Sequence, residues 1–148
     1  MIKKFTDHRG DFVLYDANGC DQVNVVTNHH RFTFRGLHYQ TNPPQRKTVK
    51  IIQGKVLDIL YDPQTKECKF YKLDKHSEPL VIEKNYAHGY LTLEPFTIFT
   101  YAVEGEYSPD SEHSIIYDTV PTIKDAIEAE VLTGPRVISE KDKNGKWK

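Results

Sequence analysis

Turn-forming residues punctuate this chain at short, fairly even intervals, and that spacing constrains its fold more than any other feature. Arg9-Gly10, Asn18-Gly19, Asn42-Pro43-Pro44, Gln53-Gly54, Asp62-Pro63, Glu94-Pro95, Glu104-Gly105 and Ser108-Pro109 leave runs of strand length between them. The composition of the runs agrees. Eleven Val, 11 Ile and 12 Thr stand beside 7 Phe and 9 Tyr, against 5 Ala and 9 Leu, so residues that suit a pleated surface outnumber good helix formers. Strands are expected over 48–53, 55–61, 80–83, 90–93, 97–103 and 113–117, with Gly54 as a tight turn or a kink. Many short strands with regular punctuation and no internal repeat predict an all-β sandwich, jelly roll or barrel.

The tail reads differently. Residues 122–132 carry the helix-compatible Lys124, Ala126, Glu128, Ala129 and Glu130, and Gly134-Pro135 would end a helix. Ile123, Ile127 and Val131 suit a short strand equally well. Residues 140–148 are polar and are expected on the surface.

The 148 residues point to one domain. Twenty Lys and Arg against 21 Asp and Glu give a net charge of −1, which argues against a nucleic-acid binder with its basic excess. Apolar runs span only a few residues, too short to cross a bilayer, and Met1 to Asp7 lacks the apolar core of a signal peptide. Two cysteines make no disulfide framework. A cytoplasmic domain without membrane or nucleic-acid partners is the expectation.

Chemistry concentrates in Arg35-Gly36-Leu37-His38-Tyr39-Gln40. Strict strand alternation would put His38 on one face with Gly36 and Gln40. Antiparallel pairing across Asn42-Pro43-Pro44 could return Lys47 to the same interior. A proton acceptor beside a fixed cation suits a reaction that builds negative charge on oxygen. The same spacing suits a core-edge histidine and a solvated lysine, and spacing alone favours that plainer reading.

A metal fits poorly. Among His8, His29, His30, His38, His76, His88 and His113 there is no His-x-His pair, and His29-His30 would point to opposite faces of a strand. No nucleophile elbow, phosphate loop or dinucleotide fingerprint occurs. Aromatic and ionisable residues cluster again from Tyr86 to Tyr107. There a tyrosine opposite a histidine could complete an acid/base pair, or the rings could simply pack the core.

Taken in order, several segments resemble the dTDP-4-dehydrorhamnose 3,5-epimerase family. They are Arg9-Gly10, Arg35 to Gln40, Lys47, Gly54-Lys55-Val56-Leu57-Asp58, Ala87-His88-Gly89-Tyr90, Tyr101, and Tyr107-Ser108-Pro109 leading to Glu112. The resemblance runs from about His8 to Asp118, with a weaker echo near the C-terminus.

It implies a cupin-type jelly-roll barrel over about 8–118, with a C-terminal extension over about 119–148, in a single domain spanning 1–148. It implies no cofactor and no metal, a nucleotide-diphospho-sugar substrate and a homodimer. By the same resemblance His38 is the general base and Asp142, in Ser139-Glu140-Lys141-Asp142, orients it. Lys47 holds the enolate oxygen, and Tyr101 returns a proton from the opposite face. Substrate contacts are implied for Arg9, Phe12, Asn28, Arg35, Gln40, Asp58, His88 and Tyr107, with Arg9 and Phe12 at the nucleotide diphosphate.

The chain departs from the family pattern at Asp11 and Leu14, where an aromatic and a glutamate are usual, and it is shorter than typical members. Fewer elements to hold a substrate in two poses favour reaction at a single centre. Two other readings compete. A cupin 3,4-ketoisomerase would show Arg-Gly-x-His-Ala-His, where this chain has Tyr39-Gln40 after His38. A non-catalytic nucleotide-sugar-binding cupin would need neither a base nor an opposing acid.

Overall fold

The computed structural model describes residues 3–15, 21–132, 137–139 and 142–143. The expected turns at Asn18-Gly19 and Gly134-Pro135, and most of the tail beyond Ser139, lie outside the described residues.

Two sheets face each other. The first runs β1 (Lys3–Asp7), β2 (Gly10–Tyr15), β3 (Gln22–Asn28), β10 (Thr97–Glu104), β5 (Arg46–Gln53), β8 (Leu80–Ile82). The second runs β11 (Glu112–Ser114), β4 (Thr33–Gln40), β9 (Ala87–Thr92), β6 (Lys55–Tyr61), β7 (Cys68–Asp74). Pairing is antiparallel throughout, except that β12 (Val137–Ile138) joins β4 in parallel. This is the all-β jelly roll that the resemblance implies, one of the three architectures the turn spacing allows.

From β3 onward the chain changes sheet at almost every connection, so residues distant in sequence line one interior. The 48–53 and 55–61 runs form strands as expected, but they belong to opposite sheets. Gly54 is the corner between them, at φ +82 where a side chain would be strained. Similarly β4 and β5 do not pair, so Lys47 reaches the interior from the sheet opposite His38 rather than across a hairpin.

Strand alternation divides the apolar residues into two cores. Between the sheets, Val26, Val49, Ile51, Val56, Leu60, Leu73, Ile82, Tyr90 and Phe99 are buried together. Leu57, Ile59 and Leu91 point to the other face of the second sheet, where they meet Phe34, Leu37, Tyr117, Ile123 and Ile127. That outer core is closed by α1 (Pro121–Glu130), whose Ile123 and Ile127 are fully buried. The two isoleucines lie four apart, a spacing that shares one face in a helix and in a strand alike, and the segment forms the helix. Each buries apolar surface worth roughly 1.5–3 kcal/mol. The expected strand at 113–117 is shorter than its apolar pattern suggests, and Tyr117 turns into a 3₁₀ helix over the outer core.

Candidate active site

The position of His38 is set by a bulge. In the β4–β9 ladder Arg35 faces Tyr90 and His38 faces His88, so three steps along β4 match two along β9. His88 and Tyr90 share a face, and Arg35 and His38 therefore share it too, although they are three residues apart. Simple alternation, which grouped His38 with Gly36, fails here by one residue. Gly36 makes the bulge possible, with φ +121 and a backbone so close to β9 that an added Cβ would lie 2.5 Å from Gly89 Cα.

The tail completes this wall. Both β11 and β12 pair with β4, β11 against His38 to Gln40 and β12 against Thr33 and Phe34. Just beyond β12, Asp142 is 2% exposed, contrary to the expectation that 140–148 lies on the surface. It is buried because it answers polar groups on β4. Its Oδ1 lies 2.8 Å from His38 Nε2, and its Oδ2 accepts from the Gly36 N–H at 3.2 Å. Burial raises the Asp142 carboxyl, but its hydrogen bond to His38, the charges of His38 and Arg9 and the Gly36 N–H outweigh that and hold it below the ordinary carboxylate value. The His38 side chain itself keeps 26% exposure, so the ring is accessible while its carboxylate is not.

A second histidine–aspartate pair lies beside the first. His88 Nε2 is 2.6 Å from Asp58 Oδ1, and the His88 ring stacks on Phe99 at 5.8 Å. Tyr90 stacks on the same Phe99 with centroids 4.0 Å apart.

The opposite wall carries Lys47, which shares a face of β5 with the buried Val49 and Ile51. Its Nζ sits 5.8 Å from the centroid of the Tyr101 ring. Tyr101 is the cross-strand partner of both Val49 and Asn24. Burial pushes its phenol well above the ordinary value, against smaller opposing effects of Arg35 and a hydrogen bond with Asn24. Phe12 meets Tyr101 edge-on at 6.3 Å.

Arg35 spans the interior. Its Nε donates to Asn28 Oδ1 at 2.8 Å, while Nη2 is buried without a hydrogen-bond partner among the described residues. Burial lowers its pKa from the ordinary guanidinium value, and the opposing effects of Tyr90, Asp7 and Tyr101 do not offset it. Asn28 is fully enclosed, its amide also donating to the Tyr90 hydroxyl and the Thr97 carbonyl, so it acts by fixing Arg35.

Gln40 is similarly committed. Its amide donates to the carbonyls of Pro43 and Glu106 and accepts from the Ser108 N–H, which ties down the segment that presents Tyr107. Tyr107 is half exposed, and desolvation together with Glu112 pushes its phenol up to about 12. Arg9 is held by Asp7 and lies 3.6 Å from Asp142.

Sequence reasoning missed Asn24, Tyr90 and Asp7. Tyr90 was within reach, since it lies two residues from His88 in a strand. Asn24 carries no local signal, because its partner Tyr101 lies on another strand, whereas Asp7 lies two residues before Arg9 and its pairing is local. Among the described residues, no three His, Cys, Asp or Glu side chains converge as a metal site.

Known proteins resemble this chain over most of its length. The family model for dTDP-4-dehydrorhamnose 3,5-epimerase matches residues 1–147. A dTDP-4-dehydrorhamnose 3,5-epimerase from Methanothermobacter thermautotrophicus is 30% identical over 97% of this chain and 84% of its own length. One from Neisseria gonorrhoeae is 31% identical over 96% of this chain, which spans only 47% of that protein. The crystal structure of dTDP-6-deoxy-D-glucose-3,5-epimerase from Legionella pneumophila in complex with dTDP-4-keto-L-rhamnose superposes with a TM-score of 0.68. It is 26% identical and covers 97% of this chain and 83% of that one.

Proposed function

This chain belongs to the dTDP-4-dehydrorhamnose 3,5-epimerase family, and from that premise we propose that it inverts C3, C5 or both in a nucleotide-diphospho-4-keto-6-deoxy sugar. The observation that carries the reading is a histidine paired with a buried carboxylate on one wall, with a lysine and a protonated tyrosine on the other.

A C–H bond beside a ketone is weakly acidic, and its removal is feasible only when the developing enolate is held by fixed donors. His38 removes the proton, and Asp142, ionised at neutral pH, stabilises the imidazolium and fixes the ring. Lys47 offsets charge on the enolate oxygen. Inversion needs delivery from the other face, and Tyr101 keeps its proton at neutral pH because burial disfavours the phenolate. Arg35, held by Asn28, offers an unsatisfied guanidinium N–H to an anionic part of the substrate. His88 and Asp58 shape the floor beside His38, and Tyr107 and Phe12 border the ring. Gln40 serves by holding the Tyr107 segment. The reaction as drawn uses no cofactor.

We further propose one cytoplasmic domain working as a homodimer in the synthesis of sugars for cell-surface polysaccharides. No helix among the described residues is long and apolar enough to cross a membrane. Sedimentation at micromolar concentration should give twice the chain mass; a fully active monomer would remove any need for a shared site.

The deciding experiment is incubation with a dTDP-4-keto-6-deoxy sugar in D₂O. Deuterium should enter beside the ketone with inverted product, and counting the positions labelled separates one centre from two. A product with its ketone at C3 would mean a ketoisomerase, and tight binding without exchange would mean a sugar-binding protein.

A further inference from the structure

We propose that Asp7 and Arg9 form a positioning pair behind the base: Arg9 draws on the Asp142 carboxylate that holds His38, and Asp7 limits how strongly it does so. The proposal rests on His38 being the base.

Asp7 ends β1, and Arg9 sits in the two-residue turn that leads into β2. Asp7 Oδ1 accepts the Arg9 backbone N–H at 2.9 Å, and its carboxylate takes Arg9 Nε at 3.0 and 3.2 Å and Nη2 at 2.6 Å. This fork fixes the guanidinium plane. The remaining nitrogen, Nη1, then lies 3.6 Å from Asp142 Oδ2, the oxygen that also accepts from Gly36. The Arg9 side chain is only 14% exposed and that of Asp142 1%, so solvent screens this contact weakly.

The result is a row of alternating charge: Asp7, Arg9, Asp142, His38. An unshared Asp142 would stabilise the imidazolium most and make His38 the strongest base. Sharing Asp142 with a guanidinium weakens that hold, and pulling the guanidinium toward Asp7 restores part of it. Burial raises the Asp7 carboxyl, but its hydrogen bonds and ion pair with Arg9 outweigh this and hold it below the ordinary value, so it is ionised at neutral pH. The start of the chain thereby acts on a residue near its end.

Other charged or titratable groups around His38 stay constant in the test. They are His88 and Asp58 on β9 and β6, Arg35 on its own strand, Glu112 on β11, and Lys47, Tyr90 and Tyr101 toward the interior.

Two substitutions should therefore move the base in opposite directions. Arg9→Gln frees Asp142 and should raise the titration midpoint of His38. Asp7→Asn keeps an acceptor for the turn N–H, removes the charge, gives Arg9 wholly to Asp142, and should lower it. Each shift should be of the order of half a pH unit.

The midpoint is read by NMR titration of the His38 ring, assigned by its loss in His38→Gln, and from the acid limb of kcat/KM. Midpoints that stay put, or that move the same way in both variants, would overturn the proposal. So would a rise in KM for Arg9→Gln with the His38 titration unmoved, which would make Arg9 a diphosphate ligand only. Should Arg9→Gln fail to fold, Asp7→Asn alone decides, and an unshifted midpoint there counts against the pair. The ring titration needs no turnover. A wild type without deuterium exchange would sink the assignment of His38 as base, whereas the titration separately judges the charge row.

Discussion

His38 and His88 are cross-strand partners on β4 and β9, and each ring places Nε2 against a different buried aspartate, at 2.8 and 2.6 Å. Their environments separate their tasks. The His88 side chain is 7% exposed, lies flat on Phe99 and is paired to a fully buried Asp58. His38 keeps 26% exposure, enough to meet a substrate. One pair is sealed in the core, and the other keeps an accessible ring.

His38→Ala should still bind a dTDP-4-keto sugar while exchange beside the ketone falls roughly 10²–10⁴-fold, the usual worth of general-base catalysis. Exchange within about threefold of wild type, followed by NMR in D₂O, would remove His38 from this role.

Lys47→Ala should depress kcat far more than it raises KM, because the ammonium matters most once the substrate oxygen is anionic. Steady-state kinetics decide this. A raised KM with kcat intact would make Lys47 a substrate clamp.

Tyr101→Phe removes one hydroxyl from a ring packed between Phe12 and Phe99 and should leave the fold intact. Exchange driven by His38 should persist while inverted product drops. If the two fall together, Tyr101 is not a separate proton donor.

Asp142 makes stability depend on pH. Its folded-state pKa is depressed, so the unfolded chain takes up its proton at higher pH than the folded chain. Its contribution is complete above about pH 4 and is lost as pH falls through that range toward the folded value. Urea unfolding between pH 7 and pH 3 should show a shallower acid limb for Asp142→Asn than for wild type. Parallel curves would show that Asp142 gains nothing from His38, Gly36 and Arg9 in the folded state.

By itself the sequence determined the kind of sheet and several of its strands, though it set no bounds for β1, β2, β3 or β7. The 55–61 run is a strand at its expected bounds, and 97–103 differs by one residue at its end, because β-branched and aromatic residues between Gly and Pro leave few other conformations. The order of Arg35 to Gln40, Lys47, His88 and Tyr101 was also legible, since a motif is a local property of the chain. Tertiary structure alone decided which of these residues meet. The bulge at Gly36 turned His38 onto the face of Arg35, a parity change that depends on β9 lying against the glycine backbone. Only packing shows that the Gln40 and Asn28 amides already have partners within the protein. Asp142 sits in a polar tail that reads as surface, yet it is buried next to β4, against His38 and the Gly36 N–H. Contacts between the first hairpin, the fourth strand and the tail have no periodicity to betray them, and long-range pairing in a jelly roll is fixed only when the sheets close.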